Sequence, residues 1–120
     1  MNKKTLVIGA STNPDRYSYL AILQLRKHNH QVVAIGKSKG VVMDVPIIND
    51  NPPIEDIDTV SLNINPSIQK EYHQYILSLH PKRVIFNPGT ENNELYQLAK
   101  ENGIEPIEAC TLVLLSTGQY

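Results

Sequence analysis

Five short apolar runs recur along the chain, each separated from the next by enough residues for one helix, and this alternation decides the class of fold. The runs are residues 5–8 (TLVI), 31–35 (QVVAI), 58–62 (DTVSL), 83–86 (RVIF) and 104–107 (IEPI). The first four are nearly free of polar alternation, as expected of strands covered on both faces. Helical patterns fill the gaps. Residues 18–28 carry Leu20, Ile22, Leu23 and Leu25; residues 67–79 place Ile68, Tyr72, Ile76 and Leu79 on one stripe, with Ser67 as N-cap; residues 94–102 stop at Gly103 in the C′ position; residues 111–116 form a short last helix. Residues 41–48 are apolar but contain Pro46, which admits at best an edge or broken strand. Residues 54–57 read as a short helical turn. Strand–helix–strand units of this length force right-handed crossovers and parallel pairing. The expectation is an α/β, doubly wound, mainly parallel sheet of five to six strands in a single domain over residues 1–120.

Composition narrows the class further. A chain of 120 residues with 41% hydrophobic and 19% charged residues can bury one continuous core. The net charge of −1 gives no field to attract nucleic acid or an anionic membrane. One cysteine excludes an internal disulfide framework and fits a reducing compartment. The leading apolar stretch is too short for a secretory signal, and no run approaches the ~18 apolar residues that span a bilayer. A cytoplasmic location is the expectation. The histidines lack ligand spacing, so no metal is expected.

In a doubly wound, Rossmann-like sheet, ligands sit beyond the carboxyl ends of the strands, so the loops there carry the functional reading. After the first run come Gly9, Ala10, Ser11, Thr12, Asn13, Pro14, Asp15 and Arg16. The small residues leave main-chain amides open beside a helix start, which favours an anion, and Arg16 adds charge. The same stretch also reads as an ordinary turn. After the second run, Gly36, Lys37, Ser38, Lys39 and Gly40 hold two lysines and no acid. An NAD site carries a carboxylate near this position for the ribose hydroxyls. Lysines suit a ribose phosphate instead, as in NADP or coenzyme A. The third and fourth loops, with Asn63, Asn65 and Pro66, then Asn87, Pro88, Gly89, Thr90 and Asn92, offer uncharged hydrogen bonds on proline-stiffened backbone, or simply helix caps.

Taken together, VIGASTNPDRYSY, the second-strand turn, FNPGTEN and the closing ACTLV resemble the small CoA-binding-domain proteins, which are similar to the nucleotide-binding domain of the succinyl-CoA synthetase alpha subunit. The resemblance covers nearly the whole chain in order. It implies that Gly9, Ala10, Ser11 and Asn13 hold the phosphates of coenzyme A. It further implies that Gly36 and Lys37, with Lys39, approach its nucleotide end, and that Asn65, Pro66, Asn87, Pro88 and Gly89 line the groove.

A catalyst is harder to find. Cys110 precedes the last helix and reads as a small core residue, or as a thiol able to pair with that of coenzyme A. His28, His30, His73 and His80 fall on or after helices, away from the strand carboxyl ends, and read as helix-surface or helix-dipole groups. The reading is therefore non-catalytic binding of coenzyme A or an acyl-CoA, a small-molecule nucleotide ligand. The alternatives are an NADP-type oxidoreductase fragment and a regulatory protein–protein module with a vestigial pocket. In the last, residues 112–115 would pack against a partner or a second copy of the chain as a homodimer.

Overall fold

The computed structural model of the chain describes residues 2–120. Its elements are β1 (Thr5–Ile8), α1 (Tyr17–Lys27), β2 (Val32–Ile35), β3 (Gly40–Val42), β4 (Val45–Ile48), β5 (Thr59–Leu62), α2 (Pro66–Gln69), a 3-10 turn (Lys70–Tyr72), α3 (His73–Leu79), β6 (Arg83–Phe86), α4 (Asn93–Glu101), β7 (Glu105–Glu108) and α5 (Thr111–Ser116). The strands form one sheet in the order β3-β4-β2-β1-β5-β6-β7, parallel throughout except for β3. From β1 the chain winds outward to β2 and β4, then returns to the other side of β1 at β5. The strand order therefore reverses between β1 and β5, and the loops leaving these two strands part there.

Each face of the sheet is covered because successive strand residues point to opposite sides. Leu6, Ile8, Val60, Leu62 and Phe86 pack beneath Ile76 and Leu95 of α3 and α4. Val7, Ala34 and Ile85 pack beneath Ile22, Leu25 and Leu115 of α1 and α5. Each such fully buried Val, Leu, Ile or Phe side chain stabilises the fold by ~2 kcal/mol. The α1 stripe is Ser18, Ala21, Ile22 and Leu25, and Leu20, grouped by the sequence pattern with the core, is 42% exposed. The helical i, i+3, i+4, i+7 spacing selects the former set.

Three local expectations are corrected. Residues 41–48 form a hairpin rather than a broken strand, so the sheet has seven strands and not five to six. Pro46 is tolerated because Val41↔Pro46 is the hairpin pair that exchanges no ladder bond, while pairing with β2 begins only at Ile47. The helix expected over residues 67–79 is broken by the 3-10 turn, and its N-cap is Asn65, whose side chain accepts from the Ser67 amide at 2.9 Å. Residues 54–57 form no helical turn, and Asp56 takes φ 60°.

The hairpin turn carries its own prediction. Met43 is exposed at φ 54°, a left-handed conformation that a side chain with Cβ resists by ~1 kcal/mol. Met43→Gly is expected to raise stability by about 0.5–1 kcal/mol in chemical denaturation. An unchanged or lower midpoint contradicts this.

Candidate functional site

At the point where the strand order reverses lies a cleft of about 610 Å³, walled by the loops after β1, β2, β5 and β6. Its floor is set by glycine. Gly9 takes φ 93°, and a Cβ there would lie 2.5 Å from the Asn63 carbonyl oxygen. A Cβ on Gly36 would overlap the Ala10 carbonyl, and one on Gly40 would overlap Thr12 Cγ2. The β1, β2 and β5 loops thus come together only because side chains are missing at their contacts.

The first wall is the start of α1. Its N-cap, Arg16, makes no side-chain cap, and among the described residues the amides of Ser11, Thr12, Tyr17 and Ser18 meet no protein acceptor. These open N–H groups and the positive end of an 11-residue helix face the cleft together with the Arg16 side chain. Lys37 comes from the β2 loop. Among the described residues no carboxylate belongs to the lining, whose charged side chains are Arg16 and Lys37.

Of the residues singled out in the sequence, Gly9, Ala10, Ser11, Arg16, Lys37, Asn65, Asn87, Pro88 and Gly89 line the cleft. Asn13, Gly36, Lys39 and Pro66 do not. The Asn13 side chain accepts from the Asp15 amide at 3.0 Å, an Asx turn that shapes the helix entry. Pro66 occupies the first position of α2, where its missing N–H costs nothing. Asn87 touches the cleft but spends its polar atoms on the fold. Its Nδ2 donates to Ser61 Oγ (2.9 Å) and the Leu62 carbonyl (2.8 Å), and its Oδ1 accepts from the Thr111 amide (2.8 Å). Asn92 likewise caps α4 by accepting from the Leu95 amide.

Sequence reading passed over Tyr17, Ile64 and Ile68, which supply the apolar part of the lining. Ile68 is marked only as part of a helical stripe. Nothing along the chain ties the three to one site, because the turn and the helices that present them meet only in the fold. The Tyr17 hydroxyl accepts from the Leu112 amide (3.2 Å) and shares a hydrogen bond with Cys110 Sγ (2.6 Å). Burial, and then the bond to Cys110, push this phenol above its ordinary range, so it stays protonated. Cys110 is half-buried at the α5 N-cap and belongs to neither core cluster, unlike the small core residue expected.

Two histidines expected on helix surfaces are buried instead. His30 accepts from the Lys3 amide through Nδ1 at 2.9 Å, and its ring lies 4.9 Å from that of Tyr120. His73 places Nδ1 3.2 Å from Glu94 Oε1. Burial lowers both pKa values; nearby cations, Lys3 and Arg83 among them, add to the shift at His30, whereas Glu94 opposes it at His73. A folded pKa below the unfolded value means that the unfolded chain takes up protons first as pH falls. Their contribution to stability is therefore full above the ordinary value of about 6.5 and is lost as pH drops through the lowered folded values. Thermal midpoints measured from pH 8 to pH 5 are expected to fall below pH 6.5, less steeply in a His30→Asn/His73→Gln double variant. Parallel profiles in the two proteins would refute this assignment.

A second hollow of similar size, about 620 Å³, lies at the opposite edge of the sheet. Both of its lysines are engaged: Lys82 Nζ is 3.8 Å from Asp58 Oδ2, and Lys4 Nζ donates to the Glu55 carbonyl at 2.8 Å. Among the described residues no cluster of His, Cys, Asp or Glu is arranged to hold a metal ion, and no helix is long and apolar enough to cross a membrane.

Comparison with known proteins bears on the fold and the family. A crystal structure of an uncharacterized protein is similar over 100% of this chain and 99% of its own, with 53% identity and a TM-score of 0.97. Two further structures share the fold. A hypothetical protein from Pyrococcus horikoshii OT3 has 24% identity over 97% of this chain and 83% of its own, with a TM-score of 0.87. The cell-free ID.343 protein from Thermus thermophilus has 20% identity over 99% and 91%, with a TM-score of 0.86. No curated protein is a match. The family model described as a CoA binding domain matches residues 3–116, so the whole sheet and every loop of the cleft fall within it, and the chain belongs to the CoA-binding domain family.

Proposed function

We propose that the chain binds coenzyme A or an acyl-CoA in the cleft between β1 and β5, without itself catalysing a reaction. The observation that carries this reading is the uncapped start of α1 facing a cleft whose only charged lining residues, among those described, are Arg16 and Lys37. Open amides and the helix dipole hold a pyrophosphate, Arg16 adds a charge-assisted bond, and Lys37 meets a phosphate on the ribose. Ile64, Ile68 and Pro88 offer apolar surface to the rest of the ligand. The side chains of this lining bind and orient; neither a histidine nor a carboxylate stands in it to move a proton.

Calorimetric titration with coenzyme A, acetyl-CoA, NADP, NAD and ADP tests the reading. Binding of the first two in preference to NAD is expected; binding of NAD without coenzyme A would overturn it. Arg16→Glu and Lys37→Glu are each expected to weaken coenzyme A by ~10-fold or more, since a hydrogen bond to a charged group contributes about 1.5–3 kcal/mol. Both side chains are exposed, so stability should move by less than ~0.5 kcal/mol.

A further inference from the structure

Gln69, the last residue of α2, is fully buried, yet half of its amide is unsatisfied. Nε2 donates to the Ile64 carbonyl (3.1 Å) and to the Thr90 carbonyl (2.5 Å), while buried Oε1 has no donor. A buried amide with an orphan acceptor is costly, and methionine, of the same length and with no such group, would fill the space without that cost. The polar side chain is therefore to be explained by what Nε2 holds. Ile64 belongs to the loop after β5 and Thr90 to the loop after β6; these strands are neighbours, and both residues line the cleft on the side across from the β1 loop. Two flanking contacts follow the same seam: Asn92 Nδ2 to the Pro66 carbonyl at 3.4 Å, and His73 to Glu94 at 3.2 Å.

We infer that Gln69 is a positioning residue for the cleft, tying the β5 and β6 loops into one wall and keeping the Ile64 and Thr90 carbonyls turned away from the ligand. The second effect matters for charge. A carbonyl oxygen facing into the cleft would present negative potential to a polyanion, and a donor behind the wall keeps both oxygens engaged. Gln69 touches no ligand in this account. It acts through main chain on either side, and the inference rests on the coenzyme A reading of the cleft.

The test compares wild-type protein with Gln69→Met and with Gln69→Asn, which keeps an amide but is one methylene too short to bridge both carbonyls. Coenzyme A affinity is expected to fall at least tenfold in either variant. Inorganic pyrophosphate, a probe of the Gly9 turn alone, should bind both variants within twofold of wild type. Unchanged coenzyme A affinity in a cooperatively folding variant overturns the inference, as does an equal loss for pyrophosphate, which would mean general loosening. Hydrogen exchange in the unliganded protein gives a second readout. The Thr90 amide, bonded to the Asn87 carbonyl, should exchange at least tenfold faster in the variants, with the β1 and β2 amides unaffected; an unchanged Thr90 rate also overturns the positioning role. Failure of wild-type protein to bind coenzyme A would sink the ligand reading, whereas Thr90 exchange still decides the role of Gln69.

Discussion

Gly9→Ala is expected to destabilise the protein by ~2–5 kcal/mol and to weaken coenzyme A binding at least tenfold. Two effects add. At φ 93° an alanine is forced into backbone that L-residues avoid, at ~1–2 kcal/mol. Its Cβ would also lie 2.5 Å from the Asn63 carbonyl oxygen and 2.6 Å from Ile64 Cγ2, so the β1 and β5 loops must separate, which is overpacking worth ~1–3 kcal/mol. Those loops are opposite walls at the point where the strand order reverses, so the same displacement moves the open amides of Ser11 and Thr12. Denaturant unfolding and calorimetry check the two parts separately. An alanine variant with wild-type stability would show that the contact yields, and wild-type affinity in a destabilised variant would show that the turn does not hold the ligand.

Asn87→Ala is expected to have the larger effect on folding, ~3–5 kcal/mol, a sizeable part of the 5–15 kcal/mol that holds a domain of this kind together. Asn87 is 2% exposed and ties three elements with one side chain: it donates to Ser61 and Leu62 on β5 and accepts from the first amide of α5. Alanine leaves the Leu62 carbonyl and the Thr111 amide buried and unpaired, at ~1–3 kcal/mol each, and opens a small void. Ser61 Oγ keeps its bond to Thr111 Oγ1 (2.9 Å), which limits the loss. Asn87→Asp separates the two halves of this account, because it keeps an acceptor for Thr111 but loses both donations and buries a carboxylate. Both variants should unfold at markedly lower denaturant than wild type. A loss of affinity with little loss of stability would instead make Asn87 a direct ligand contact.

These two residues show how far the chain could be read in one dimension. Gly9 was legible because a lone glycine after LVI, followed by small residues, has few uses other than a strand-to-helix turn. Its second constraint, the Asn63 carbonyl beneath it, joins residues 54 positions apart and has no signature along the chain. Asn87 was legible as a polar residue at a strand end, but its role was not. A side-chain amide looks the same whether it awaits a ligand or satisfies a helix start, and only the position of α5 decides. Asn13, Asn65 and Asn92 divide along the same line: each makes a cap or an Asx turn, and of the three only Asn65 also lines the cleft. The β3–β4 hairpin was hidden by Pro46, whose penalty depends on which hairpin pair it occupies. The buried histidines were hidden because helical periodicity does not report what lies over a helix end.

What the sequence determined by itself is the layered sheet, its parallel winding and the edge at which the strand-end loops gather. Apolar periodicity and connection length are local properties, and the handedness of crossovers leaves few topologies. The β1 loop and the lysine after β2 could be placed at that edge for the same reason. Tertiary structure alone decided which of the polar residues there face the cleft and which are consumed by the fold. A hydrogen bond is settled by geometry across elements, and Asn87, Gln69 and the loops they join lie far apart along the chain.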